Sequence, residues 1–154
     1  MLAKLNLLSI PIEIILLILP SVVIAASVAG DWIPPGADSL VRITIVDTAQ
    51  IRLVRSLNSQ SDEQNPDERL RSRSLQGIIL GDGFTKSGHH WSGGRINDPG
   101  SGKTYRGSFQ LIDDDHLELR GYVGLPMFGR SETWTRRNLF ESKMDILLGR
   151  GGAR

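Results

Sequence analysis

The sequence predicts an all-β protein, an antiparallel up-and-down barrel of about eight strands. Three observations carry this. Short segments with period-two alternation of apolar and polar residues recur from Trp32 onward, rich in β-branched side chains. Turn formers are abundant, with 17 Gly and 7 Pro among 154 residues. Helical periodicity is scarce between the first thirty residues and the final stretch. A chain of this length makes one domain with its own core. Closure into a barrel removes exposed strand edges, and a two-sheet sandwich is the alternative use of the same strands.

The first element is not part of the barrel. "MLAKLNLLSIPIEIILLILPSVVIAASVAG" begins with one cation at Lys4, continues as an apolar run, and ends in small residues after Pro20. That is the layout of a secretory signal peptide over residues 1–29, with cleavage after Ala26 or Ala29. Pro11 and Glu13 interrupt the apolar run, which leaves it short of the ~20 residues a spanning helix needs. The expected location is therefore outside the cytoplasm, periplasmic or secreted, with a retained anchor as the competing reading.

The barrel domain is expected over residues 30–137. "DWI" makes a short first strand. "SLVRITIV" alternates Val41, Ile43 and Ile45 against Arg42 and Thr44, and "AQIRLVR" alternates Ile51 and Leu53 against Gln50 and Arg52. Asn58 to Ser74 is polar and highly charged, a loop whose composition predicts mobility. "LQGIIL" reads as a strand, "GDGFTKSGHH" as a turn-rich connection, and "WSGGRI" as a strand with Gly93 and Gly94 marking a bend. "KTYRGSFQLI", "HLELRGYVG" and "MFGRSETWTRR" complete the set, with "DDD" as a turn. In residues 138–154, Phe140, Met144, Leu147 and Leu148 fall at helical spacing, so a short amphipathic helix ends the chain, followed by a disordered "GRGGAR".

"GSGKT" (Gly100 to Thr104) looks like the end of a phosphate-binding loop. The pattern fails: Asn97 stands where the first glycine belongs, and the residues after Thr104 alternate as a strand where a helix is required. Asp98, Pro99 and Gly102 instead supply the turn of a hairpin. No nucleotide is expected. The formal net charge of +1, with 23% charged residues, gives no bulk electrostatic case for nucleic acid. The absence of cysteine excludes disulfides and thiolate chemistry.

Taken together, "GDWIPP", "NPDERLRSRSLQGIILGDGF", "WSGGRINDPGSGKTYRG", "LELRGYVG" and "FGRSETWTRR" resemble a bacterial family of exported domains of unknown function, DUF2147, over Gly30 to Arg137. The stretches Trp91 to Tyr105 and Arg120 to Gly124 carry most of that resemblance. Members often hold cysteines near the second and third strands; this chain has none, so no thiol role carries over. A second resemblance is to lipocalin-like (calycin) barrels. It rests on Gly30-Asp31-Trp32 at the start and Arg136 at the end of the last strand. It implies that Arg136, or Arg137 in its place, stacks on Trp32 and closes one end, a cation–π contact of about 1–2 kcal/mol.

No catalytic constellation is visible. Adjacent His89 and His90 point to opposite faces of an extended segment, which suits no shared metal, and Asp113 to Asp115 are turn formers. The expected function is non-enzymatic binding of a small, partly apolar ligand or lipid in the barrel, without cofactor or metal. Trp91, Lys103, Tyr105, Arg120, Tyr122 and Trp134 are the candidate lining residues. Gly30, Trp32, Gly93, Gly94, Asp98, Pro99, Gly102, Gly121 and Arg136 are expected to be structural. The alternatives are an interaction domain with a filled core, meeting an envelope protein through its surface, and an uncharacterised enzyme.

Overall fold

The computed structural model describes residues 26–57 and 61–138. Most of the expected leader and the whole expected C-terminal helix lie outside these residues. Eight antiparallel strands follow one another around a closed barrel: β1 (Gly30–Ile33), β2 (Ser39–Ile45), β3 (Ala49–Ser56), β4 (Ile79–Ser87), β5 (His90–Asp98), β6 (Lys103–Leu111), β7 (His116–Tyr122) and β8 (Arg130–Arg136). Each strand pairs with the next, and β1 pairs with β8 through Trp32↔Arg136 and Ile33↔Thr135.

Alternation sets the two faces of the wall. Val41, Ile43, Ile51, Leu53, Phe109, Leu117, Leu119 and Trp134 point inward and are buried. Arg42, Arg52, Arg95, Arg106 and Glu118 belong to the outward rows of the same strands.

The middle of the barrel is filled. Phe84 is fully buried and stands edge-on to Phe109, with centroids 4.9 Å apart; Trp91 stacks on Phe109 at 6.0 Å. Space for the Phe84 ring comes from small neighbours. Ala49 is its cross-strand partner, and a Cβ placed at Gly81, Gly94 or Gly107 would stand 3.0, 2.5 or 3.2 Å from the ring. The gain from burying such a phenyl group, about 1.5–3 kcal/mol, depends on those missing methyls.

β4 differs from the sequence expectation. "LQGIIL" is not one strand: Leu75 drops from the preceding loop into the core, and β4 starts only at Ile79. β4 then runs through "GDGFTKS", read above as a connection. Gly81 and Gly83 serve the strand, not a turn: Gly81 lies beneath Phe84, and Gly83 (φ +74°) forms a bulge. The loop before β4 is also more structured than its composition suggests. Asp62 is buried, pairs with Arg73 at 2.7 Å and accepts from Asn65 Nδ2 at 2.7 Å, while Ser61 bridges to Ser74. Asp67 caps a short 3-10 turn at Glu68–Leu70.

One end of the barrel is shut by side chains. Trp32 is fully buried, and its indole N–H donates to the Val28 carbonyl at 2.9 Å. The Arg136 guanidinium lies 4.2 Å from the ring centroid. It also donates to the carbonyls of Ser27 (2.8 Å), Ala29 (3.3 Å) and Asp114 (2.6 Å). The charge is thus satisfied by backbone oxygens while it covers the indole. The turns after β2, β4 and β6 lie at this closed end. The hairpins β1–β2, β5–β6 and β7–β8, with the long loop, form the opposite rim.

Candidate functional site

The β5–β6 hairpin positions the site. Asp98 organises its turn: Oδ1 accepts from the Gly100 amide (3.0 Å), Oδ2 from the Ser101 hydroxyl (2.6 Å), and its carbonyl from the Gly102 amide (2.8 Å). Gly102 is left-handed (φ +68°), and a methyl there would collide with the Gln64 carbonyl of the long loop. The hairpin therefore leans on that loop. Lys103 begins β6, so a strand stands where a phosphate loop would begin a helix.

The turn fixes the register Asp98↔Lys103, Asn97↔Thr104, Ile96↔Tyr105 and Arg95↔Arg106. On β4, Asp82 pairs with Arg95. Between that pair and Thr85↔Ser92 the ladder is interrupted, where Gly83 and Gly93 both adopt positive φ, and on the other side of β5 the β5–β6 register shifts between Ser92 and Gly94. The paired bulges bend the wall around Phe84. Outside the bend lies an open groove of about 440 Å³, lined by Asp82, Gly83, Gly93, Arg95, Thr104, Tyr105 and Arg106.

Its electrostatics are cationic. Arg95 and Arg106 face each other across the ladder, outward and exposed. Arg95 Nε is 4.0 Å from Asp82 Oδ1, with both side chains solvated, and two guanidiniums against one carboxylate leave the groove with an excess of positive charge. Among the described residues Arg106 has no carboxylate partner. The Thr104 hydroxyl donates to Asn97 Oδ1 at 2.9 Å and stays on the groove's edge. A smaller notch of about 100 Å³ lies beside the β1–β2 hairpin, between Ile33, Leu40, Leu57 and Arg55.

The six residues expected to line one pocket are not gathered in one place. Trp91 and Trp134 are buried in the core; the Trp134 indole donates to Glu132 Oε2 at 3.2 Å. Tyr105 sits half-buried at the rim, on the inward row beside Gly121, and its residue also lines the outer groove. Lys103 is exposed at the end of the hairpin. Arg120 and Tyr122 are on the outward row of β7, where Arg120 donates to the Pro126 carbonyl (2.7 Å) and the Ser131 hydroxyl (3.0 Å). Trp91 and Trp134 share the filled interior with Phe84, Phe109 and Leu75, and the other four lie at the rim or on the outer face of the wall.

Sequence reasoning missed Asp82, Arg95 and Arg106. The signal was present. Once Asp98 to Gly102 is a turn, Arg95 has to oppose Arg106, and outward alternation from Ile96 and Gly107 puts both outside. Elsewhere the acidic turn is a structural device. Asp113 Oδ1 accepts from the backbone amides of Asp115 (2.9 Å) and His116 (2.7 Å) and from His116 Nδ1 (2.9 Å). The Asp115 amide, then the His116 ring, hold the Asp113 carboxyl below its ordinary pKa.

Residues 30–136 match the family described as an uncharacterized protein conserved in bacteria, DUF2147. Among curated proteins, none matches the chain. A solved Helicobacter pylori protein, HP1028, described as belonging to the lipocalin family, superimposes with a TM-score of 0.70 at 22% identity. The match covers 78% of this chain and 89% of that one. The barrel is thus lipocalin-like in fold.

Proposed function

The chain belongs to DUF2147, and for this member we propose non-enzymatic binding of a small anionic, partly apolar molecule in the outer groove of β4, β5 and β6. The observation that supports it most is the facing pair Arg95 and Arg106 beside a concavity within the ~300–1,000 Å³ range of small-ligand sites. Two guanidiniums in register present forked donors suited to one carboxylate or phosphate. Thr104 adds a hydroxyl, and the bulged backbone at Gly83 and Gly93 lets a ligand approach closely.

Native mass spectrometry of the full chain isolated from its own cells tests this. A co-purifying anion is expected, lost from Arg95→Glu and Arg106→Glu and kept by Trp91→Phe. A ligand kept by both charge reversals and lost from Trp91→Phe would move the site into the barrel.

A second reading, an interaction domain acting through its surface in the envelope, is favoured by the packed interior around Phe84. Cross-linking in cells with a photoreactive group at Arg106 separates the two. Capture of a protein supports this second reading, and capture of none counts against it.

A further inference from the structure

The β7–β8 connection carries the sequence Val123-Gly-Leu-Pro-Met-Phe128. Val123, Leu125, Met127 and Phe128 are 70%, 59%, 74% and 74% exposed. Exposed apolar side chains scattered singly need no explanation, but four within six residues at a loop tip form a patch.

The tip is built, not loose. Pro126–Phe128 form a 3-10 turn closed by the Phe128 and Gly129 amides onto the Leu125 and Pro126 carbonyls. Arg120 clamps the Pro126 carbonyl from both Nε (3.0 Å) and Nη2 (2.7 Å). A methyl at Gly129 would stand 2.7 Å from the Gly121 carbonyl, so the turn closes tightly on β7. Rotatable apolar side chains are thereby held outward on a braced backbone.

The surroundings fit one partner. From Leu119 to Ser131 the chain holds Arg120 and Arg130 and no acidic residue. Arg130 is exposed beyond the tip, and Arg106 flanks it in register with Tyr122. Neither has a carboxylate partner among the described residues. Glu132, the nearest acid on β8, accepts the Trp134 indole N–H. Half-buried Tyr122 stands at the tip's base, with the amphipathic character that aromatic residues show at membrane interfaces. Exposed apolar side chains beside two guanidiniums and a tyrosine match the layered chemistry of an anionic bilayer: acyl chains beyond negative headgroups.

We infer that the tip Val123–Phe128 inserts shallowly into an anionic lipid surface, with Arg106 and Arg130 meeting the headgroups. Arg106 is shared with the proposed groove, whereas the apolar tip and Arg130 belong to this inference alone, so the two fail separately.

The chain lacks cysteine, so one introduced thiol gives a unique probe site. The full-length Met127→Cys protein is labelled with an environment-sensitive fluorophore and mixed with vesicles of phosphatidylcholine alone or in equal mixture with phosphatidylglycerol. The same label at Val46→Cys, 88% exposed in the β2–β3 turn at the opposite end, reports any other mode of attachment. The expected result is a blue shift and loss of aqueous quenching at position 127 with anionic vesicles, and none at 46. Arg130→Glu should weaken that response about tenfold, as should Phe128→Ser, since each change removes on the order of 1.4 kcal/mol of attachment. A probe at 127 that stays aqueous with both vesicles, or equal responses at 127 and 46, would overturn the inference.

Discussion

Gly94→Ala is the sharpest perturbation of the filled core. The added methyl would stand 2.5 Å from both Cγ and Cδ1 of Phe84 and 2.6 Å from the Asp82 carbonyl oxygen. Ordinary contacts between such atoms are ~3.5–4.0 Å, so the deficit is about 1 Å against two separate groups. The ring has no easy retreat, because it is fully buried with Gly81 and Gly107 against its other atoms. Overpacking of this kind costs about 1–3 kcal/mol, and with backbone among the clashing atoms the upper end is expected. For a domain of this size that lowers Tm by roughly 10–20 °C. Calorimetry of Gly94→Ala beside Gly88→Ala measures it. Gly88 lies in the β4–β5 turn with φ +61° and nothing within 4 Å of an added Cβ. Its substitution therefore costs only the conformational strain, about 1 kcal/mol. Phe84→Leu should recover part of the Gly94→Ala loss, as expected for side chains in contact. A Gly94→Ala protein no less stable than Gly88→Ala would refute the glycine cup around Phe84.

Trp32→Ala should destabilise by about 3–5 kcal/mol in denaturant titration, because the closed end loses its plug and Arg136 loses the ring beneath it. Asp62→Ala should cost about 1–3 kcal/mol and increase proteolysis between Ser61 and Ser74, since Arg73 and Asn65 both lose their acceptor. Asp113 titrates lower in the folded chain than in the unfolded one, so its stabilisation is present above the ordinary carboxylate pKa, about 4, and disappears as pH falls through the folded value. An Asp113→Asn protein should therefore lose less stability than wild type between neutral and strongly acidic pH, as followed by thermal melts.

Much of the architecture was legible because it rests on local rules. Alternation in "VRITI" and "QIRLV" and turn chemistry in "DPGSG" lead directly to β2, β3 and the β5–β6 hairpin. The Trp32–Arg136 contact was implied by the resemblance to lipocalin-like barrels. β4 was not legible. Its glycines mimic turn signals locally, and their purpose appears only when Phe84 from the same strand folds back over Gly81 and Gly94. The candidate site was obscured for a related reason. Aromatic residues drew attention to the interior, yet those rings pack against one another and fill it. The exposed guanidiniums came into view only through a cross-strand register and a pair of bulges, neither of which is a property of any one segment.

The most direct test of the account is amide NMR of the full chain during titration with an organic phosphate bearing a short alkyl chain. Binding in the outer groove predicts shifts concentrated at Asp82, Arg95, Thr104 and Arg106, saturable and abolished in Arg106→Glu, with Phe109 and Leu117 unmoved. Saturable shifts centred on Phe84, Phe109 and Trp134, undiminished by Arg106→Glu, would contradict it.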